Sequence, residues 1–219
     1  MAGPTKLIKV LLIDDHRMFR EGVKSRLERE ADIQVVGEAA SGREAVEKVS
    51  LNQPDMVILD IRLPDISGIE VAQMLRKQWP NLKILMLTGY DFDQYVRAVA
   101  RVGIDGYLLK DAPQDELVDA VRQVAAGGAV LPPNIASKVM RGYASTPMGA
   151  SNRPTWDLTV RELEILELLS QGLRNVDIAD RLGISSRTVE NHVGSIIGKL
   201  GAQSRTEAVR LAIEKGLIK

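Results

Sequence analysis

The chain has no cysteine among its 219 residues, which excludes a disulfide framework and any thiolate metal site and agrees with a reducing compartment. No apolar run approaches the ~18 residues of a membrane-spanning helix, and the opening Met-Ala-Gly-Pro-Thr-Lys carries no apolar leader, so the expected location is the cytoplasm with no membrane partner. Excess charge of one sign is also missing. The 29 basic and 29 acidic residues give a formal net charge of +0, and after position 150 ten basic face nine acidic residues. Any nucleic-acid role must then rest on local geometry, with a modest phosphate contribution. The Gly-x-Gly-x-x-Gly of dinucleotide-binding folds is absent after the first expected strand, where Asp14-Asp15-His16-Arg17 stands instead. What is present is ordinary globular composition, 45% hydrophobic and 26% charged.

The organising stretch is Asp55-Met-Val-Ile-Leu-Asp60-Ile-Arg-Leu-Pro64-Asp-Ile-Ser-Gly68. Residues 56–59 read as a strand buried on both faces, ended by a carboxylate and turn residues, which places Asp60 at the carboxyl end of a central strand. Ile8–Ile13 is a second such strand and ends in Asp14-Asp15; Lys83–Thr88 ends in a hydroxyl and Gly106–Lys110 in an amine. In an open parallel sheet that edge collects ligands. Three converging carboxylates repel one another unless a positive species lies among them, and hard oxygen donors suit Mg²⁺. A lone Asp at a strand end is commonly a turn or cap residue. Four functional groups at one edge instead form a metal site beside a carboxylate nucleophile, with Thr88 and Lys110 positioned for phosphoryl oxygens. No general base follows Asp60 within two residues, only Arg62 and Leu63, so turnover of an external substrate is not expected.

Between these strands, Phe19, Val23 and Leu27 recur at helical spacing, and a strand at 33–38 follows. Ser41-Gly-Arg-Glu44 and Ser67-Gly-Ile-Glu70 have the form of capping boxes, opening helices through Val49 and Leu75. Helices near 91–101 and 113–126 complete five βα repeats, which means a parallel sheet with right-handed crossovers and helices on both faces. From about Gly127 to Asp157 the composition shifts to Gly, Pro, Ser and Asn, the mark of an unpacked linker, with a short helix around Ile135 to Tyr143. The remainder reads as helices. Thr159-Val-Arg-Glu162 is a third capping box, Asn175 is placed as the cap of a short helix, Gly183-Ile-Ser185 forms a tight turn, and Ser185 or Ser186 opens a longer helix. Two short helices joined by a Gly-containing turn fit a helix-turn-helix. With Val189, Val193, Ile196, Ile197 and Leu200 inward, the outward stripe is Arg187, Glu190, Asn191, Gly194, Ser195 and Gly198. Asn and Arg can read adenine and guanine edges, and Glu can accept from cytosine.

Asp14-Asp15, Asp60 with Pro64 and Gly68, Thr88-Gly89 and Gly106-Tyr-Leu-Leu-Lys110 together resemble the receiver domain of bacterial two-component response regulators. Leu158-Thr-Val-Arg-Glu162, Asn175-Val-Asp-Ile-Ala179 and Thr188-Val-Glu-Asn-His192 resemble the LuxR/NarL-type (FixJ-type) DNA-binding domain. The implied fold is a flavodoxin-like, doubly wound five-stranded α/β receiver over 1–127, a linker over 128–157 and a four-helix, all-α domain over 158–219. The resemblance implies phosphorylation of Asp60 by a sensor histidine kinase, and Mg²⁺ on Asp15, Asp60 and the Arg62 carbonyl, with Asp14 acting through water. It also implies that Thr88 and Lys110 hold the phosphoryl group and that Tyr107 turns inward with Thr88 as a switch. Candidate DNA contacts are Arg187, Thr188, Glu190, Asn191, His192, Gly194, Ser195 and Lys199; homodimerisation on phosphorylation is implied, and RNA polymerase is a further candidate partner. Asp111 stands where the family often has proline, and Leu163, Val176 and Glu190 stand where it usually has basic residues. A phosphorylation-gated interaction module with little DNA affinity therefore stays open as the alternative.

Overall fold

Register explains why the functional strand ends share one edge. β1 (Ile8–Ile13) pairs in parallel with β3 (Met56–Leu59) so that Ile13 lies opposite Leu59, and β4 (Lys83–Thr88) pairs with β5 (Gly106–Leu109) so that Thr88 lies opposite Leu109. With β2 (Ile33–Ala39) outside β1, the sheet order is β2-β1-β3-β4-β5. Strand order reverses between β1 and β3, and there the crossovers leave to opposite faces and open a crevice at the carboxyl ends. The computed structural model describes residues 7–89, 93–133, 135–137 and 158–218, and the chain divides into two compact units, Met1–Arg141 and Gly142–Lys219.

Alternation along β1 sends Val10 and Leu12 to the face covered by α1 (Arg17–Leu27) and α5 (Gln114–Ala125), where they join Val23, Leu27, Leu117, Val121 and Val124 in one apolar cluster. Such side chains, wholly buried, each contribute roughly 1.5–3 kcal/mol relative to exposure, which holds α1 and α5 against this face of the sheet. The remaining helices are α2 (Gly42–Asn52), α3 (Gly68–Gln78) and α4 (Asp93–Val102). Ser67 and Glu70 form the expected reciprocal capping box. Ser41 caps α2 by accepting from Glu44 N, but the Glu44 carboxylate reaches one residue further back, to Ala40 N at 2.6 Å. The backbone N–H groups of Gly42 and Arg43 are taken at 2.8 and 2.9 Å by Asp65, which ties the loop after β3 to the start of α2.

The stretch expected to be an unpacked linker begins, over its described part, as packed chain. Tyr107 N donates to Val130 O at 2.8 Å, Val130 N donates to Asp105 O at 3.2 Å, and Ile135 is fully buried. The Gly and Pro residues there shape a connection back along β5; composition alone could not distinguish that from a free tether. The rest of the expected short helix, to Tyr143, and the linker to 157 lie outside the described residues, as does Asp91 at the expected start of α4.

In the second unit, α6 (Val160–Ser170) opens with the capping box of Thr159 and Glu162. The short helix α7 (Asn175–Leu182) begins differently from expectation: Arg174 is its N-cap and Asn175 its first helical residue, with Asp177 accepting the Arg174 backbone N–H at 3.2 Å. The carboxylate of Asp177 thus satisfies one orphan donor at this helix start, the N–H of the N-cap residue itself. Gly183 follows at φ 62, a left-handed turn that suits glycine, and Ser185 caps α8 (Ser186–Leu200) before α9 (Arg205–Glu214). Leu166, Ile178, Val189, Ile196, Leu200, Ala208 and Ala212 are buried, while Val193 and Ile197, expected inward, are half-buried at the margin. Among the described residues no helix is long and apolar enough to cross a membrane.

Candidate functional site

Asp60 follows β3 and is 2% exposed; its backbone N–H continues the ladder to Ile13 O at 2.9 Å, which places it beside Asp14 at the end of β1. Lys110 N continues the β4–β5 ladder to Thr88 O in the same way. The four strand ends thus meet. Lys110 Nζ lies 2.5 Å from Asp60 Oδ2 and 2.6 Å from Asp14 Oδ2, bridging two carboxylates that would otherwise repel, and it also sits 4.6 Å above the Phe19 ring. Burial raises the Asp60 carboxyl above its ordinary pKa, against the pull of Lys110. Burial also opposes the Lys110 ammonium, yet Asp60 and Asp14 outweigh it and hold its pKa above the ordinary value.

Two buried oxygens in this crevice have no hydrogen-bond partner, Asp60 Oδ1 and the Thr88 hydroxyl. The Thr88 hydroxyl lies near enough to favour the ionised Asp60 carboxyl as a prospective donor, but the pair does not close a hydrogen bond. A buried acceptor and a buried donor left unmade are costly, and a ligand that used both would recover that cost. Asp14, Asp15, His16 and Asp60 offer ligand atoms within 4.8 Å of one another. The hard carboxylate oxygens and the unpartnered Asp60 Oδ1 fit a divalent ion such as Mg²⁺. Arg62 lies half-buried on the loop that Asp65 anchors, and Tyr107 is buried on β5. Every described peptide bond is trans, including Lys110–Asp111.

Gly68 explains the end of the organising stretch. Its N–H donates to Ile61 O at 2.7 Å, and a Cβ added there would stand 1.9 Å from the carbonyl oxygen of Asp60. Only glycine lets α3 start this close to the chain that carries Asp60.

Sequence reasoning passed over His16 and Arg20. His16 Nδ1 lies 2.8 Å from Asp15 Oδ1 and 3.2 Å from Asp14 Oδ1. Arg20 Nη1 donates to the carbonyl of Asp14 while its Nε donates to Glu38 at 2.9 Å. Adjacency to the acidic pair was a signal for His16. Arg20 gave none, since its partners are distant in sequence.

On the second unit, Arg187, Glu190, Asn191, Gly194, Ser195 and Gly198 are all exposed on α8, with Thr188 and His192 half-buried beside them. Arg187 and Glu190 approach to 3.7 Å. Two of the candidate contacts carry a second engagement. Ser195 Oγ donates to Glu162 Oε1 at 2.6 Å, and Lys199 Nζ sits 2.9 and 2.7 Å from the two Glu162 oxygens. Glu162 is 3% exposed; burial alone would raise its pKa, but the hydrogen bonds from Lys199, Ser195 and Thr159 outweigh it and hold the carboxyl below its ordinary range. The capping residue of α6 thereby fixes the rotation of α8, a role invisible in the capping motif. A Cβ at Gly194 or Gly198 would meet nothing within 4 Å, so this unit's own packing does not require glycine at either position.

Residues 10–122 match the family model described as the response regulator receiver domain, and residues 157–212 match that of bacterial regulatory proteins, luxR family. The chain is 37% identical over 225 residues to the transcriptional regulatory protein DegU of Brevibacillus brevis, spanning 97% of this chain and 95% of that one. It is 39% identical over 211 residues to the response regulator protein VraR of Staphylococcus aureus, spanning 96% and 99%. Among solved structures, the response regulator ChrA of a heme-sensing two-component system aligns with a TM-score of 0.53 at 38% identity, covering 97% of this chain and 99% of that one.

Proposed function

The chain belongs to the response regulators that join a receiver domain to a luxR-family DNA-binding domain, and from that premise we propose that Asp60 is the residue a sensor histidine kinase phosphorylates. The observation that carries this reading is the buried Asp60 at the β1/β3 crevice, with Oδ2 on Lys110 and Oδ1 unpartnered. An Asp60 carboxylate oxygen attacks phosphorus, the P–N bond to the kinase histidine breaks, and an acyl phosphate remains on the receiver. Asp15, Asp60 and the Arg62 carbonyl would hold Mg²⁺, with Asp14 acting through water; bound there, the ion would neutralise charge on the carboxylates and phosphoryl oxygens. Lys110 can swing its ammonium from the Asp60 carboxylate to a phosphoryl oxygen, and the unpaired Thr88 hydroxyl can donate to another. Tyr107, already inside, follows Thr88 as the switch.

The receiver spans 1–127 in this reading, with a connection over 128–157 and the DNA-binding domain over 158–219, working in the cytoplasm. Arg187, Thr188, Glu190, Asn191, His192, Gly194, Ser195 and Lys199 form the DNA-facing set; the near-neutral charge of this region makes one copy a weak binder. Phosphorylation promotes homodimers, and two domains on adjacent half-sites gain from effective concentration. RNA polymerase is a further partner of the DNA-bound dimer.

The test uses the full chain with a small acyl phosphate and MgCl₂, read by intact-mass spectrometry with and without EDTA. A single metal-dependent phosphate that is lost in Asp60→Asn and labile to base is expected. Equal modification of the Asp60→Asn variant would refute the assignment.

A further inference from the structure

We propose that His16 raises the affinity of the acidic pocket for first-row transition ions relative to Mg²⁺, adding a nitrogen ligand to an ion held by the carboxylates of Asp15 and Asp60 beside Asp14. This rests on the reading of the pocket as the metal site of the receiver, and adds a ligand to it.

The geometry separates two sets of atoms. Lys110 occupies the Oδ2 atoms of Asp14 and Asp60. The Oδ1 atom of Asp60 has no partner, and the Oδ1 atoms of Asp14 and Asp15 lie 3.2 and 2.8 Å from His16 Nδ1. Adjacent ligands of an octahedral ion at ~2.1 Å stand about 3 Å apart, so these two separations are compatible with neighbouring ligand positions, and the four residues offer atoms within 4.8 Å of one another. His16 is the residue before α1, and its backbone N–H donates to Asp14 Oδ1 at 2.8 Å, which holds the imidazole over the pocket while 65% of the side chain stays exposed. Coordination through Nδ1 requires the tautomer with hydrogen on Nε2 and replaces the present contacts to the two carboxylates.

Imidazole nitrogen suits Zn²⁺, Ni²⁺ and Cu²⁺, whereas Mg²⁺ prefers oxygen and keeps its waters, so one added nitrogen shifts the order of affinity without altering the carboxylates. The background is low. The chain has no cysteine and only one other histidine, His192, in the separate DNA-binding unit.

Isothermal titration of the full-length protein with NiCl₂ and with MgCl₂ tests this, in the parent and in His16→Gln, His192→Gln and Asp60→Asn. The ratio of Ni²⁺ to Mg²⁺ affinity is expected to fall about ten-fold or more in His16→Gln, at least the loss that removing a mere outer-shell partner of a metal ligand brings, and to be unmoved in His192→Gln. Because the ratio is internal to each variant, a general loss of folding cannot mimic that result. An unchanged ratio in His16→Gln, while Asp60→Asn abolishes Mg²⁺ binding, overturns the role of His16 and leaves the metal site standing. Binding of both ions untouched by Asp60→Asn overturns the site itself, and His16 with it.

Discussion

Gly68→Ala is a sharp test of how the Asp60 loop is held. The new Cβ would lie 1.9 Å from the Asp60 carbonyl oxygen, 2.9 Å from its carbonyl carbon and 3.0 Å from Ile61 Cα, all backbone atoms with no flexible side chain to yield. Ordinary contact begins at about 3.5 Å, so the start of α3 and the end of β3 must part by roughly 1.5 Å. Over-packing of this kind costs ~1–3 kcal/mol, and a backbone-to-backbone clash belongs at the upper end. Alanine returns about 0.4–1 kcal/mol by restricting the unfolded chain. The net expectation is a loss of about 2 kcal/mol, or a fall of about 7 °C in the Tm of a unit of this size. Asp60 would move with its carbonyl, and a misplacement near 1 Å can slow a positioned reaction by ~10²-fold. Thermal unfolding of the full chain followed by circular dichroism, with the rate of phosphate uptake from a small acyl phosphate, measures both effects. Gly198→Ala is the matched control, because nothing lies within 4 Å of its new Cβ and stability should rise by up to ~1 kcal/mol. A Gly68→Ala protein that melts within about 1 °C of the parent and takes up phosphate at the parental rate would refute the close-approach argument.

Thr88→Val removes a buried hydroxyl that has no partner, so the unphosphorylated protein should melt no lower than the parent, yet dimerisation on phosphorylation should be blunted. Size-exclusion chromatography with an acyl phosphate checks this, and a normal dimer shift would make Thr88 a bystander. The Glu162 carboxyl is held below its ordinary pKa, so its stabilisation is complete above the unfolded value of about 4.3 and is lost as pH falls through the lower folded value. Glu162→Gln should therefore flatten the acid limb of the stability profile; an acid limb identical to the parent's would show that the Lys199 and Ser195 contacts contribute nothing. Glu190→Lys should raise non-specific DNA affinity and steepen log K against log salt by about 0.9, the value of one added phosphate contact. Fluorescence anisotropy at several salt concentrations measures the slope, and no change would place Glu190 away from phosphate.

Much of the first unit was legible because buried parallel strands read as continuous apolar runs and their ends are marked by polar residues. Met56 to Leu59 and Asp60 are such a run and such a mark. Helix starts were legible where capping is local, as at Ser67 with Glu70, and misread at Asn175, which is the first helical residue after the N-cap Arg174, whose own backbone N–H is taken by Asp177 three residues on. The packing of Val130 and Ile135 was hidden because Gly and Pro signal a break in regular structure without saying where the chain goes next.

The sequence alone determined which residue types end each strand, and hence that carboxylates, a hydroxyl and an amine share one edge, because period and punctuation are local properties. Tertiary structure decided which oxygen of Asp60 Lys110 takes and which stays unpaired. It also decided that His16 faces the acidic pair, that Gly68 must be glycine, and that Glu162 grips Ser195 and Lys199 across 33 and 37 positions of chain. Those are relations between particular atoms, set by register and close packing, and the longest of them, Glu162 with Ser195 and Lys199, lies in no short window along the chain.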